Sequence, residues 1–167
     1  MGPLVVVTVR RRLAVTFVAA SCLWTAALLA VPFASARWPG SRGVSAASAS
    51  FYLAGTFLCH QRAERSFHPW GVRMPVCARC FGLYASASAG AAIGLLIAAP
   101  LRAHRMRRDA RALRRLLILT ALPTVLVWLV EWAGWAQPSA LLRATLAVPL
   151  GAAIGWVVTT SIAAEIE

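Results

Sequence analysis

The chain has 167 residues, 60% of them hydrophobic, and carries a formal net charge of +12. Ordinary soluble domains run at about 45–50% apolar. With a mean hydropathy of +0.71, the composition argues against a water-soluble domain and for an integral membrane protein. All 17 basic residues are arginine and sit mainly at the ends of apolar runs. Membrane orientation and anionic headgroups account for them better than nucleic acid does, so no nucleic-acid partner is expected.

Arg10, Arg11 and Arg12 precede an unbroken apolar run over 13–33. At 1.5 Å per residue, about 21 residues cross a hydrocarbon core. This is the first predicted span, its start held in the cytoplasm by the arginines. Ala34-Ser35-Ala36 has the form of a signal-peptide cleavage site, but the run is long for a signal segment and a retained helix is preferred. Either choice places the next segment outside. Cys22, inside the run, reads as a small buried apolar residue.

An outer loop is predicted over 37–78. It opens on the turn-rich RWPGSRG and contains a helix over 44–58, too short for a span and therefore interfacial or re-entrant. That helix delivers Cys59 and His60. A charged loop and the turn His68-Pro69-Trp70-Gly71 follow. Pro75 sits well just ahead of a helix, which Cys77-Ala78-Arg79-Cys80 then opens.

The second span is predicted over 79–99, closed by Pro100. Gly82, Ser86, Gly90 and Gly94 give it a stripe of small residues for close helix approach. A basic loop over 100–115 follows, with seven arginines, His104 and Asp109. It reads as cytoplasmic, and His104 as a solvated loop residue. The third span covers 116–135, with a kink at Pro123 and Glu131 near its outer end among Trp128, Trp132 and Trp135. The fourth covers 141–162, with Arg143 at its outer end and a Gly151/Gly155 GxxxG spacing that, with the first stripe, offers faces for an oligomer. Both termini lie in the cytoplasm. The two basic stretches must share a side, which requires an even number of crossings between them. Two spans satisfy that; counting 44–58 as a third would not. The expected fold is all-α: an integral membrane four-helix bundle with one short interfacial or re-entrant helix and an extracytoplasmic Cys/His/Arg loop, in the inner membrane of a prokaryote.

The chemistry gathers between Cys59 and Tyr84. Cys77 and Cys80, three apart on a first helical turn, share a face and can clamp one ion. Cys59 supplies a third sulfur, and His60 or His68 would complete a tetrahedral set. Cys₃His is a standard zinc arrangement, and thiolates also select copper(I). A helix N-terminus and nearby arginines stabilise thiolate, which serves redox chemistry as well. A CxxC at the outer face of a four-helix membrane protein is similar to the membrane disulfide-bond oxidases, but no second cysteine pair lies between Trp135 and Arg143. A structural disulfide is the plainest alternative. Gln61 belongs to the same polar run. Arg62, Arg65, Arg73 and Arg79 exceed what Glu64 can neutralise. Glu131 is placed to pair with Arg79 or Arg143, and an anionic ligand such as phosphate or a lipid headgroup is another way to satisfy the guanidinium groups. The tryptophans read as interfacial anchors.

Cys59-His60-Gln61-Arg62, Glu64-Arg65-Ser66-Phe67, Pro75-Val76-Cys77-Ala78-Arg79-Cys80 and Gly82-Leu83-Tyr84 together resemble the signature of a prokaryotic membrane-protein family, domain of unknown function 2085. The resemblance covers roughly 51–156. Phe81 stands where the family usually has Thr or another small residue, Glu131 where it tends to carry Asp, and Ser139 near a frequent Asn ahead of an arginine matching Arg143. The resemblance implies membrane location and no agreed activity. The leading expectation is binding of zinc or copper at the Cys/His site. A thiol–disulfide oxidoreductase, and binding or transport of an anionic lipid or phosphate compound through the arginines, are the alternatives. No serine, histidine and acid are arranged for hydrolysis and no phosphate-cradling glycine loop is present, so the sequence assigns no reaction.

Overall fold

The computed structural model describes residues 3–97 and 110–163, with side chains over 8–96 and 110–163. Five α-helices follow in order: α1 Pro3–Arg37, α2 Arg42–Leu58, α3 Ala78–Ile97, α4 Ala110–Trp132 and α5 Ala140–Ala163. No strand occurs among the described residues. The stretch expected to carry His104 and Asp109 between the second and third spans, and the tail from 164, lie outside them.

Four helices are long and apolar enough to cross a membrane: Thr8–Arg37 within α1, Ala78–Leu96 within α3, and all of α4 and α5. α2, at 17 residues, is a further helix outside that set. The outward surface fits lipid better than water: Leu119, Leu122, Leu126 and Trp132 of α4 and Leu96 of α3 are all exposed. Leu119, Leu122 and Leu126 share one face of α4, a stripe that a soluble protein rarely leaves uncovered. Cys22, expected to be buried, is exposed on α1; its side chain faces away from the bundle because α1 packs along one side only.

α1 extends well beyond 13–33 at both ends, and Ala34–Ala36 lies within its helical C-terminal part. α4 begins at Ala110, so Arg111, Arg114 and Arg115 occupy its first turns; arginine is a good helix former. It stops at Trp132 in a Schellman turn. Gly134 adopts φ +74°, its N–H bonds to the Glu131 carbonyl at 3.2 Å, and the Trp135 N–H bonds to the Val130 carbonyl at 3.1 Å. α5 starts on Ser139, whose hydroxyl accepts from the Leu142 N–H at 3.2 Å.

α3 and α5 form the central pair. A Cβ on Gly82 would overlap the Ala144 carbonyl, on Gly90 the Ala152 carbonyl, on Gly151 the Leu83 carbonyl and on Gly155 the Ala87 carbonyl. The two backbones touch where side chains are missing, as small-residue stripes permit. The faces that the sequence offers for self-association are therefore taken up within one chain. α1 joins α3 through hydroxyls: Thr25 Oγ1 and Ser88 Oγ lie 2.9 Å apart, and Ser88 donates to the Ser21 carbonyl at 2.8 Å. α2 lies against the end of α1 through Ser35 and Ser48, 2.9 Å apart, and through the Trp24–Phe51 ring contact.

Gly155→Ala is expected to cost about 1–3 kcal/mol, the range for overpacking a tight contact. Gly43→Ala, where an added Cβ meets nothing within 4 Å, is expected to change stability by no more than about 0.5 kcal/mol. Reversible unfolding in detergent measures both.

Candidate functional site

The site begins where α2 ends. Cys59 caps α2 in an extended conformation, φ −156° and ψ 143°, and its N–H bonds to the Gly55 carbonyl at 2.8 Å. The next turn passes through Gln61 at φ +48°, a left-handed conformation costing a non-glycine residue roughly 1–2 kcal/mol. Hydrogen bonds hold it there. The buried Gln61 donates from Nε2 to the Tyr52 carbonyl at 2.6 Å, and Arg73 Nη1 donates to the Gln61 carbonyl at 3.1 Å. The Tyr52 hydroxyl donates back to the Arg73 carbonyl, and the Arg73 guanidinium lies 5.7 Å from the Tyr52 ring centroid. A side chain at Gly55 would strike Gln61 and the Pro75 carbonyl. This clamp folds the loop back on α2 and brings Pro75-Val76-Cys77 beside Cys59.

The sulfurs of Cys59, Cys77 and Cys80 all lie within 4.8 Å of one another. All three are free thiols; Cys59 and Cys77 are buried and Cys80 is half-buried. The Cys77 N–H donates to Cys59 Sγ at 3.2 Å, and the Cys77 carbonyl accepts the Phe81 N–H at 2.9 Å. Cys77 is thus the residue from which α3 springs. Leu28, Met74 and Val76 pack with the cysteines, and Trp24, Phe67, Phe81 and Tyr84 close over them. The Cys77 and Cys80 thiols beside Cys59 favour its thiolate and hold its pKa far below the ordinary range, against the opposing effect of burial. Cys77, donating to that thiolate and buried, keeps its proton more tightly than an ordinary thiol.

A second cluster forms around Glu131, whose side chain is 1% exposed. Arg79 Nη2 donates to Oε2 at 2.9 Å. Arg65 Nε and Arg143 Nη2 stand 3.1 and 2.8 Å from Oε1 as charge contacts without hydrogen-bond alignment. Arg143 Nη1 also reaches the Glu64 carbonyl at 3.4 Å, tying α5 to the short 3₁₀ turn Ala63–Arg65. The three members carried by α-helices each oppose their own helix dipole. Arg79 and Arg143 lie near the positive N-terminal ends of α3 and α5, and Glu131 lies in the negative last turn of α4. One carboxylate among three guanidinium groups leaves positive charge in excess. The Nε atoms of Arg79 and Arg143 are buried without a hydrogen-bond partner. Beside this cluster is a cavity of about 170 Å³ lined by His60, Arg62, Arg65, Trp128, Glu131 and Trp132.

The residues singled out from the sequence therefore divide. Cys59, Cys77 and Cys80 converge. His60 does not join them: consecutive side chains of an extended segment point to opposite sides, so His60 lines the arginine cavity instead. His68 is exposed at the turn Pro69–Gly71, also outside the sulfur group. Arg65, Arg79 and Arg143 gather on Glu131, and Arg62 walls the cavity. Gln61 and Arg73 are occupied by the clamp. Sequence reasoning missed Tyr52 and Gly55, whose only signal was their position two turns and one turn of helix, respectively, before Cys59.

Comparison with known proteins reaches the same segments. A family described as "Predicted membrane protein (DUF2085)" matches residues 59–157, which hold both clusters. An uncharacterized protein of Methanocaldococcus jannaschii is 42% identical over 50 residues, 30% of this chain and 30% of that one. An uncharacterized protein of Methanothermobacter thermautotrophicus is 29% identical over 106 residues, 64% of this chain and 86% of that one. The match thus spans under a third of the first relative's length and most of the second's. No solved structure matches.

Glu131→Gln removes the counter-charge of three guanidinium groups. Breaking a buried pair costs about 3–5 kcal/mol, and the partial exposure of Arg65 and Arg79 puts the expected loss near the lower figure. Exposed Glu64→Gln is expected to stay within about 0.5 kcal/mol of wild type. Detergent unfolding of the two variants checks the contrast.

Proposed function

The chain belongs to the DUF2085 family of predicted membrane proteins, and from that premise we propose that it binds one soft metal ion, zinc or copper(I), through the thiolates of Cys59, Cys77 and Cys80. The observation that carries this reading is the convergence of three free thiols within 4.8 Å. Thiolates bound to zinc at about 2.3 Å stand about 3.8 Å apart in a tetrahedron, so a small inward movement suffices. The Cys77 N–H that already donates to Cys59 Sγ at 3.2 Å would stabilise a ligating thiolate. With neither histidine in the group, the protein supplies three ligands and leaves a coordination position for a transferred or sensed partner, on the side of half-buried Cys80.

Thiol–disulfide exchange fits less well. Its nucleophile must be reached by a partner disulfide; Cys59 and Cys77 are only 6% and 8% exposed, which leaves half-buried Cys80 as the one sulfur of the three within reach.

The placement we propose is a prokaryotic cytoplasmic membrane with both termini inside, α2 at the outer interface and the cysteines facing out. The arginine stretches before the first span and after α3 support it through the positive-inside rule. In a chain whose native cysteines are replaced by serine, an impermeant maleimide applied to intact cells is expected to label His68→Cys, and to label His104→Cys only after the membrane is opened. The reverse pattern would invert the topology.

Elemental analysis of the purified protein is expected to find about one zinc or copper per chain, lost in Cys59→Ser, Cys77→Ser and Cys80→Ser alike. Equal, sub-stoichiometric metal in wild type and Cys77→Ser would remove the reading. Loading releases protons, and Cys77 holds its proton tightly. Metal affinity is therefore expected to rise with pH through the neutral range, as a competition titration against a chelator would read.

A further inference from the structure

We propose that the cavity between Arg62, Arg65 and the Trp128–Trp132 pair binds a phosphate-type anion, either a lipid headgroup or a soluble phosphate compound. Arg65, Arg79 and Arg143 all contact one carboxylate, at 3.1, 2.9 and 2.8 Å. That leaves the cluster with a net charge of about +2, and Arg65 carries that excess to the cavity wall. Arg62, on the cavity wall, adds a third positive charge. The acid that lies nearest in the chain, Glu64, is exposed and can offset one of them. Guanidinium groups prefer oxyanions that accept two parallel N–H bonds, which suits phosphate better than chloride.

Size limits the ligand. A cavity of about 170 Å³ is below the roughly 300 Å³ at which drug-sized ligand pockets begin. It accommodates a phosphate group with the first atoms of an attached alcohol, and the rest of a larger molecule would lie outside it. Glu131 forms part of the wall and repels an anion, so the oxyanion belongs on the side of Arg62, Arg65 and His60. The opposite wall has a different character. Trp128 and Trp132 stack with ring centroids 6.4 Å apart and planes 17° from parallel, and they are 48% and 77% exposed. Tryptophans of this kind favour the headgroup level of a bilayer. The cavity therefore offers cations to a phosphate and an aromatic edge to whatever glycerol or acyl portion it carries.

This site is separate from the three sulfurs, and its test is separate too. Chelator-treated, delipidated protein is titrated in two arms while tryptophan fluorescence is followed. One arm uses inorganic phosphate in detergent, against chloride at matched ionic strength. The other uses nanodiscs of phosphatidylcholine with and without phosphatidic acid. The expected result is a saturable response to phosphate in at least one arm, weakened about tenfold in Arg62→Gln, as the loss of a charge-assisted hydrogen bond implies. Arg62 is exposed and does not contact Glu131, so this variant keeps the ion cluster; Arg65→Lys, which keeps the charge and loses the fork, is expected to weaken binding as well. A response to inorganic phosphate assigns a soluble compound, and a response to phosphatidic acid alone assigns a headgroup. No preference over chloride and phosphatidylcholine, or wild-type binding in both variants, overturns the proposal. So does a phosphate response seen only before chelation, which would assign the anion to the metal.

Discussion

A single carboxylate gathers one end of this protein. Glu131 draws in Arg65 from the loop, Arg79 from α3 and Arg143 from α5 while itself ending α4. Every helix involved presents the wrong end of its dipole to the charge it carries. Each such mismatch costs about 0.3–1 kcal/mol, so the ion pairs must outweigh them. The cluster fixes the relative position of three spans and the loop at once, and the loop carries Cys59. The metal reading thus depends on an ion pair that never touches the sulfurs.

The backbone seam between α3 and α5 provides the other constraint. With glycines at the crossing points, the two helices meet carbonyl to Cα, which holds the first turn of α3 in a defined place. Arg79 and Cys80 are neighbours on that turn and face different clusters. On the loop, Cys59 and His60 divide in the same way. Two adjacent pairs of residues, one helical and one extended, thereby build two sites side by side: one of sulfur in an apolar shell, the other of guanidinium groups beside an aromatic wall.

Much of this was legible in the sequence. Four apolar runs of sufficient length declared the spans, and the cysteine spacing at 77 and 80 declared a shared face. The sequence placed Glu131 to pair with Arg79 or Arg143, at a common level of the helix ends, and the structure pairs it with both. Arg65 was not legible as a third partner, because its position depends on the 3₁₀ turn Ala63–Arg65 and on the clamp from Gln61 and Arg73. Nor could the histidines be placed. Adjacency to Cys59 made His60 look like a ligand, yet an extended backbone sends it to the other side. Arg73 counted as an anion-binding cation until the fold stacked it on Tyr52. Composition and periodicity report which residues share a helical face; they do not report how an irregular loop folds back on its own helix.

The central claim is that three sulfurs from two separated segments meet around one ion. X-ray absorption at the metal edge of the protein as purified tests it most directly. The account predicts a first shell dominated by sulfur at about 2.3 Å, losing sulfur when Cys59 alone is replaced by serine. A shell of nitrogen and oxygen at about 2.0–2.1 Å, unchanged by that replacement, would contradict it.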